Sequence, residues 1–129
     1  MLHTQTIEQE TTLKQSDLDN FYGSETFFYL PIFRKFVYTE GVKYIAEKGG
    51  AYWLLEKIFA CQSCVAKLSS EPFTTWTLTK NTVGEGARLV CTDGNEKELY
   101  AENLIFTDFP LQSLTLWLTN NTLLLPAEY

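Results

Sequence analysis

Two cysteines three residues apart, Cys61-Gln-Ser-Cys64, are the first residues here whose spacing suggests chemistry. Such a pair supports thiol–disulfide exchange when it opens a helix that follows a strand, because the helix N-terminus stabilises the attacking thiolate. Here the pair falls late in an amphipathic stretch, with Cys61 on its apolar stripe, so the thiols read as buried structural residues. Zinc would need a second pair, yet only Cys91 remains. The single histidine, His3, stands in a polar N-terminal tail. Ser–His and Cys–His nucleophile arrangements and histidine metal sites are therefore not expected.

Paired carboxylates are the remaining catalytic option. Glu96, Glu98, Glu102 and Asp108 cluster in sequence, as acid–base hydrolysis would require. The three glutamates share strand parity, however, and an exposed acidic sheet face accounts for them without chemistry. Gly84-Glu-Gly86 lacks the rest of a dinucleotide fingerprint and the Gly-Lys-Ser/Thr ending of a P-loop, so it reads as a hairpin turn. No catalytic, metal-binding or cofactor-binding residue is assigned, and no cofactor is expected. The balance leans away from an enzyme, with carboxylate-dependent catalysis kept as the third reading.

Aromatic residues make up 15% of the chain, and eleven of them fall between Phe21 and Trp53. A small sheet needs large side chains to cover it, which accounts for most of these. Tyr44, Tyr52 and Trp53 lie close to Gly49-Gly50, and only one face of the helix there can be core. Tyr and Trp bring large contact area with a polar tip, so these three form the candidate interaction surface. The first functional reading is accordingly a non-enzymatic module that binds a protein partner or a second copy of itself.

The formal charge of -6 is uneven. Residues 1–20 hold four acidic residues against Lys14, residues 21–70 hold six basic against four acidic, and residues 71–129 hold eight acidic against three basic. Direct nucleic-acid binding is not expected, because it needs clustered Lys and Arg to displace counterions. Lys43, Lys48, Lys57 and Lys67 alternate with Glu40, Glu47 and Glu56, which describes a solvated helix face. The opening stretch MLHTQTIEQETTLKQS lacks the apolar segment of a signal peptide, and no run reaches the length of a membrane span. With an odd cysteine count, this gives the expectation of a cytoplasmic protein.

The elements that must position these residues follow from periodicity. Residues 1–12 read as a flexible polar tail, and residues 13–129 as a single α+β domain. Ser16 is expected to cap a short helix with Asp17 and Asp19 in its first turn, ended by Gly23. Pro31 rules out a central strand or helix interior in the aromatic stretch 25–38, which reads as irregular or edge-like. Thr39 caps a helix to Gly49, and a long helix runs from about Ala51 to Leu68 with Leu54, Ile58, Cys61, Val65 and Leu68 on one stripe. Strict alternation then predicts strands in FTTWTLT, ARLVCT, residues 97–106, residues 114–119 and TLLLP, with turns at Asp93-Gly94 and Asn120-Asn121. The expected architecture is an antiparallel meander of four to five strands packed by the long helix and shorter N-terminal helices.

The segments GVKYIAEKGGAYWLLEKI (41–58), LVCTDGNEKELYAENLIFTDFPL (89–111) and LLLPAEY (123–129) together resemble domain of unknown function 6876, a family of small bacterial proteins frequent in cyanobacteria and on mobile elements. The resemblance implies a bacterial or phage-related cytoplasmic setting and brings no activity, cofactor or site residue. With the charge of residues 71–129 it motivates the second reading, an accessory or inhibitor protein of a mobile element whose acidic sheet face binds a basic partner.

Overall fold

Alternation in Phe-Thr-Thr-Trp-Thr-Leu-Thr-Lys puts Thr74, Trp76 and Leu78 on one side of a strand and Thr75, Thr77 and Thr79 on the other, and this strand becomes the middle of the sheet. The computed structural model describes residues 13–21, 23 and 25–129. The expected tail at residues 1–12, His3 and Tyr22 lie outside the described residues.

A six-stranded sheet is built from β1 (Val37–Tyr38), β2 (Phe73–Lys80), β3 (Ala87–Asp93), β4 (Glu98–Leu104), β5 (Ser113–Thr119) and β6 (Thr122–Leu124), in the order β1-β6-β5-β2-β3-β4. The fold is α+β and the sheet is mostly antiparallel. The strand count and the meander need correction. Only β2-β3-β4 form a meander; the chain then crosses to the far side of β2 to lay down β5 and β6. The sixth strand is the two-residue β1, which pairs in parallel with β6. So short an element leaves no periodic trace.

The long helix also departs from expectation. The α-helices are α1 (Glu40–Lys48), α2 (Tyr52–Cys64) and α3 (Ala66–Ser69). Helix α2 stops at Cys64 because Val65 adopts an extended backbone. Its buried residues are Leu54, Leu55, Ile58, Phe59 and Gln62, so Gln62 takes the place expected for Cys61. The Gln62 amide donates to the Leu68 carbonyl at 3.1 Å and accepts from Thr74 Oγ1 at 2.9 Å. It thereby ties the break after α2 to the central strand.

Upstream, Thr39 caps α1, its hydroxyl accepting from the Val42 amide at 3.3 Å. Gly49 ends α1 by donating to the Ile45 carbonyl, and Gly50 takes φ +61°, which suits glycine. The short segment near Ser16 is a 3-10 helix, Gln15–Asn20, preceded by Lys14. Ser16 lies inside it rather than capping it, and it ends before Phe21 rather than at Gly23. Pro31 opens a one-turn 3-10 helix, Pro31–Phe33.

The inner sheet face (Trp76, Leu78, Leu89, Cys91, Leu114, Leu116, Leu118, Leu123) packs against α1 and α2 around one buried core. The outer face is carried by Thr75, Thr77, Val90, Thr92, Thr115 and Trp117. Among the described residues no helix is long and apolar enough to cross a membrane.

Candidate interaction surface

The polar groups nearest to chemistry gather where α2 meets β4. Lys57 Nζ lies 3.1 Å from both carboxylate oxygens of Glu102, and the Tyr100 hydroxyl donates to Glu102 Oε1 at 2.8 Å. The Cys61 thiol lies beside Tyr100. The Tyr100 hydroxyl and the Lys57 ammonium together hold the Glu102 carboxyl below the usual carboxylate range, against the opposing effect of burial. Donation to Glu102, and then burial, raises the Tyr100 phenol. Burial pushes the Cys61 thiol up, the opposite of what thiolate exchange requires.

The cysteines are not uniformly buried as their positions suggested. Cys91 is buried, and burial raises its thiol to about 12, while Cys61 is half-buried and Cys64 is exposed at the end of α2. The break at Val65 and the occupation of the stripe by Gln62 leave Cys61 at the margin of the core and Cys64 outside it. Among the described residues no group of three His, Cys, Asp or Glu side chains could hold a metal ion.

The carboxylates do not form an acidic sheet face. A bulge interrupts β3–β4 pairing, so that Cys91 faces Tyr100 while Thr92 faces Glu98. Glu98 therefore turns to the outer face, 3.9 Å from Arg88, and Glu102 turns inward to Lys57. Glu96 lies in the turn after β3 at φ +68°, and Asp108 lies in the loop after β4. The outer face is threonine-rich, with Thr75 bonded to Thr92 and Thr77 to Thr115.

The Lys57–Glu102 pair makes a pH-dependent tie between helix and sheet. Because the Glu102 pKa is lowered in the folded state, its stabilisation is complete above its ordinary value of 4.5 and is lost as pH falls through the lower folded value. Both side chains are partly exposed, so the tie contributes only about 1 kcal/mol. Glu102→Gln is expected to lower the urea midpoint at pH 6, and to lower it by less at pH 3. An equal difference at both pH values would contradict this assignment.

Tyr44, Tyr52 and Trp53 are all half-buried and packed against the core, with Tyr44 and Tyr52 both near Glu47 and Trp53 in a separate cleft. Tyr44 packs at a tilt against Phe21 with ring centroids 5.3 Å apart and donates to Asp17 Oδ2 at 3.3 Å. Tyr52 turns toward Glu47, 3.5 Å from its hydroxyl, and toward Tyr38. Burial and these two neighbours raise the Tyr52 phenol to about 12. Trp53, one residue on, lines a different cleft with Lys57, Leu104, Phe106, Thr107 and Asp108, about 260 Å³ in volume.

Beside that cleft are two residues the sequence did not single out. Ile105 is 95% exposed and Phe106 60% exposed, in the loop where strand pairing ends after Leu104. Thr107 re-anchors the chain, its amide donating to the Glu85 carbonyl and its hydroxyl accepting from the Phe109 amide. Their only signal was an apolar Ile-Phe pair extending past the last strand residue toward a Thr-Asp turn.

A family model described as a family of unknown function (DUF6876) matches residues 12–129. No curated protein and no solved structure matches the chain.

Proposed function

The chain belongs to the family of unknown function DUF6876, and we propose that it is a non-enzymatic protein-binding module whose docking surface is the ridge of Ile105 and Phe106 together with the cleft beneath Trp53. The carrying observation is the exposure of two adjacent large apolar side chains beside a half-buried tryptophan. Exposed apolar residues scattered singly are ordinary, but here Phe106 lines a cleft with Trp53, Lys57 and Asp108, and Ile105 precedes it in the chain. Such an apolar centre with a charged rim is the usual anatomy of an interface. The lysine of that rim is already neutralised by Glu102, which suits it to positioning a partner more than to acid–base work.

Immobilised full-length chain, wild type and Phe106→Asp, should be compared for the proteins each retains from its native host. Phe106 buries little within the monomer, so the variant should unfold within about 2 °C of the wild type. Its capture of the specific partner should fall at least tenfold, as truncation of an interface hot spot does. Equal capture by both proteins would refute the docking surface.

A further inference from the structure

We infer that the outer edge of β4, which no other strand among the described residues pairs, takes up an extended, basic segment of a partner protein as an added strand, with one apolar side chain of that segment seated between Trp53 and Phe106. This rests on the docking reading above and names the partner's form and charge.

The two edges of the sheet are unequal. At one end β1 is two residues long, and Tyr38 is already bridged by Phe28 on its outer side. At the other end β4 offers seven residues, and among the described residues its sheet neighbour is β3. Edge strands are commonly blunted by lysine, proline or a bulge. Glu98–Leu104 contains neither lysine nor proline, its inward charge, Glu102, is paired with Lys57, and its bulge lies at the Glu98 end, leaving Tyr100–Leu104 regularly paired with β3. Ile105 and Phe106 continue directly from that regular end. An extended segment added to such an edge gains main-chain hydrogen bonds, and its alternate side chains reach the flanking clefts.

Charge decides between a second copy and a basic partner. Lys57 and Arg88 are engaged by Glu102 and Glu98. The flanks of the edge then carry Asp93 and Glu96 at one end and Glu85 and Asp108 at the other, against Lys97 beside the first pair and Lys80, two strands further in, at the second. Two copies meeting edge to edge in antiparallel register would bring these acidic flanks together, whereas a segment bearing Lys or Arg meets complementary charge.

The test is selection of a random 12-residue display library on the immobilised full chain, followed by titration of a selected peptide into isotope-labelled protein. Peptides alternating apolar residues with Lys or Arg are expected. They should slow amide exchange along Glu98–Leu104 and bind several-fold more weakly at 300 mM than at 50 mM salt, because exposed charges are screened. They should bind at least tenfold more weakly to the exposed-site variant Glu85→Lys/Asp108→Lys. Peptides without a basic bias that shift Trp53 and Phe106 but leave β4 exchange unchanged would overturn strand addition while leaving the docking surface standing. Peptides that map elsewhere, or no selected peptide at all, would overturn both. Dimerisation of the chain through β4 would overturn the basic partner.

Discussion

Trp76→Ala is expected to destabilise the protein by about 3–5 kcal/mol, the cost of emptying a large buried aromatic site. Trp76 stands on the middle strand β2, 1% exposed, opposite Cys91 of β3 and Leu116 of β5. Its ring lies 6.2 Å from that of Tyr100, and its indole N–H donates to Thr74 Oγ1 at 3.2 Å. Thr74 in turn donates to Gln62, so the indole also ends the bond chain that anchors the C-terminus of α2. A domain of this size has total stability on the order of 5–15 kcal/mol, so the loss approaches the whole margin. Urea unfolding followed by circular dichroism measures it directly. Trp76→Phe keeps most of the ring volume and should lose much less. A loss below about 1 kcal/mol for the alanine variant would mean that the core is centred elsewhere.

Glu128→Ala is expected to cost about 2 kcal/mol, a large effect for a residue near the end of the chain. The Glu128 carboxylate accepts from the Thr39 hydroxyl at 2.6 Å, from the Gly41 amide at 3.1 Å and from the Leu125 amide at 3.0 Å. It thus sits at the N-terminus of α1, where backbone amides lack helical partners and negative charge is favoured. Gly41 makes the approach possible, because a Cβ there would stand 2.7 Å from both Glu128 Oε1 and Leu125 Cδ1. Glu128→Gln keeps an acceptor oxygen and loses the charge, so it should fall between wild type and alanine in chemical denaturation. Equal stability of all three proteins would show that the C-terminal turn does not hold α1.

The strands were legible because their alternation is strict: Trp76 and Leu78, Leu89 and Cys91, and Leu114, Leu116 and Leu118 all face inward as their spacing requires. The Thr39 cap and the glycine helix end were legible for a similar reason, since each depends on local chemistry of a few adjacent residues. What the sequence obscured depends on contacts between distant segments. Thr122 and Leu123 bring Val37 and Tyr38 into β1, and a bulge opposite Thr92 splits glutamates of equal parity onto opposite faces. The helix stripe slipped from Cys61 to Gln62 because the Leu68 carbonyl and the Thr74 hydroxyl satisfy a buried amide there.

The candidate surface was legible only in part. Aromatic excess pointed to Tyr44, Tyr52 and Trp53, but consecutive helix residues diverge by about 100°. Tyr52 accordingly bonds Glu47 while Trp53 lines the cleft beside the exposed loop. Ile105 and Phe106 were read as the end of a strand, since an apolar pair beyond the last ladder residue looks the same in sequence whether it is paired or bare.

The docking surface is tested most directly by amide hydrogen exchange on the full chain, free and bound to the partner that the wild type captures and Phe106→Asp does not. Protection should concentrate in residues 98–109, with a second, smaller band at 52–57. Protection confined to the Phe21–Tyr44 side or to the threonine-rich outer face, with residues 98–109 exchanging as in the free chain, would contradict it.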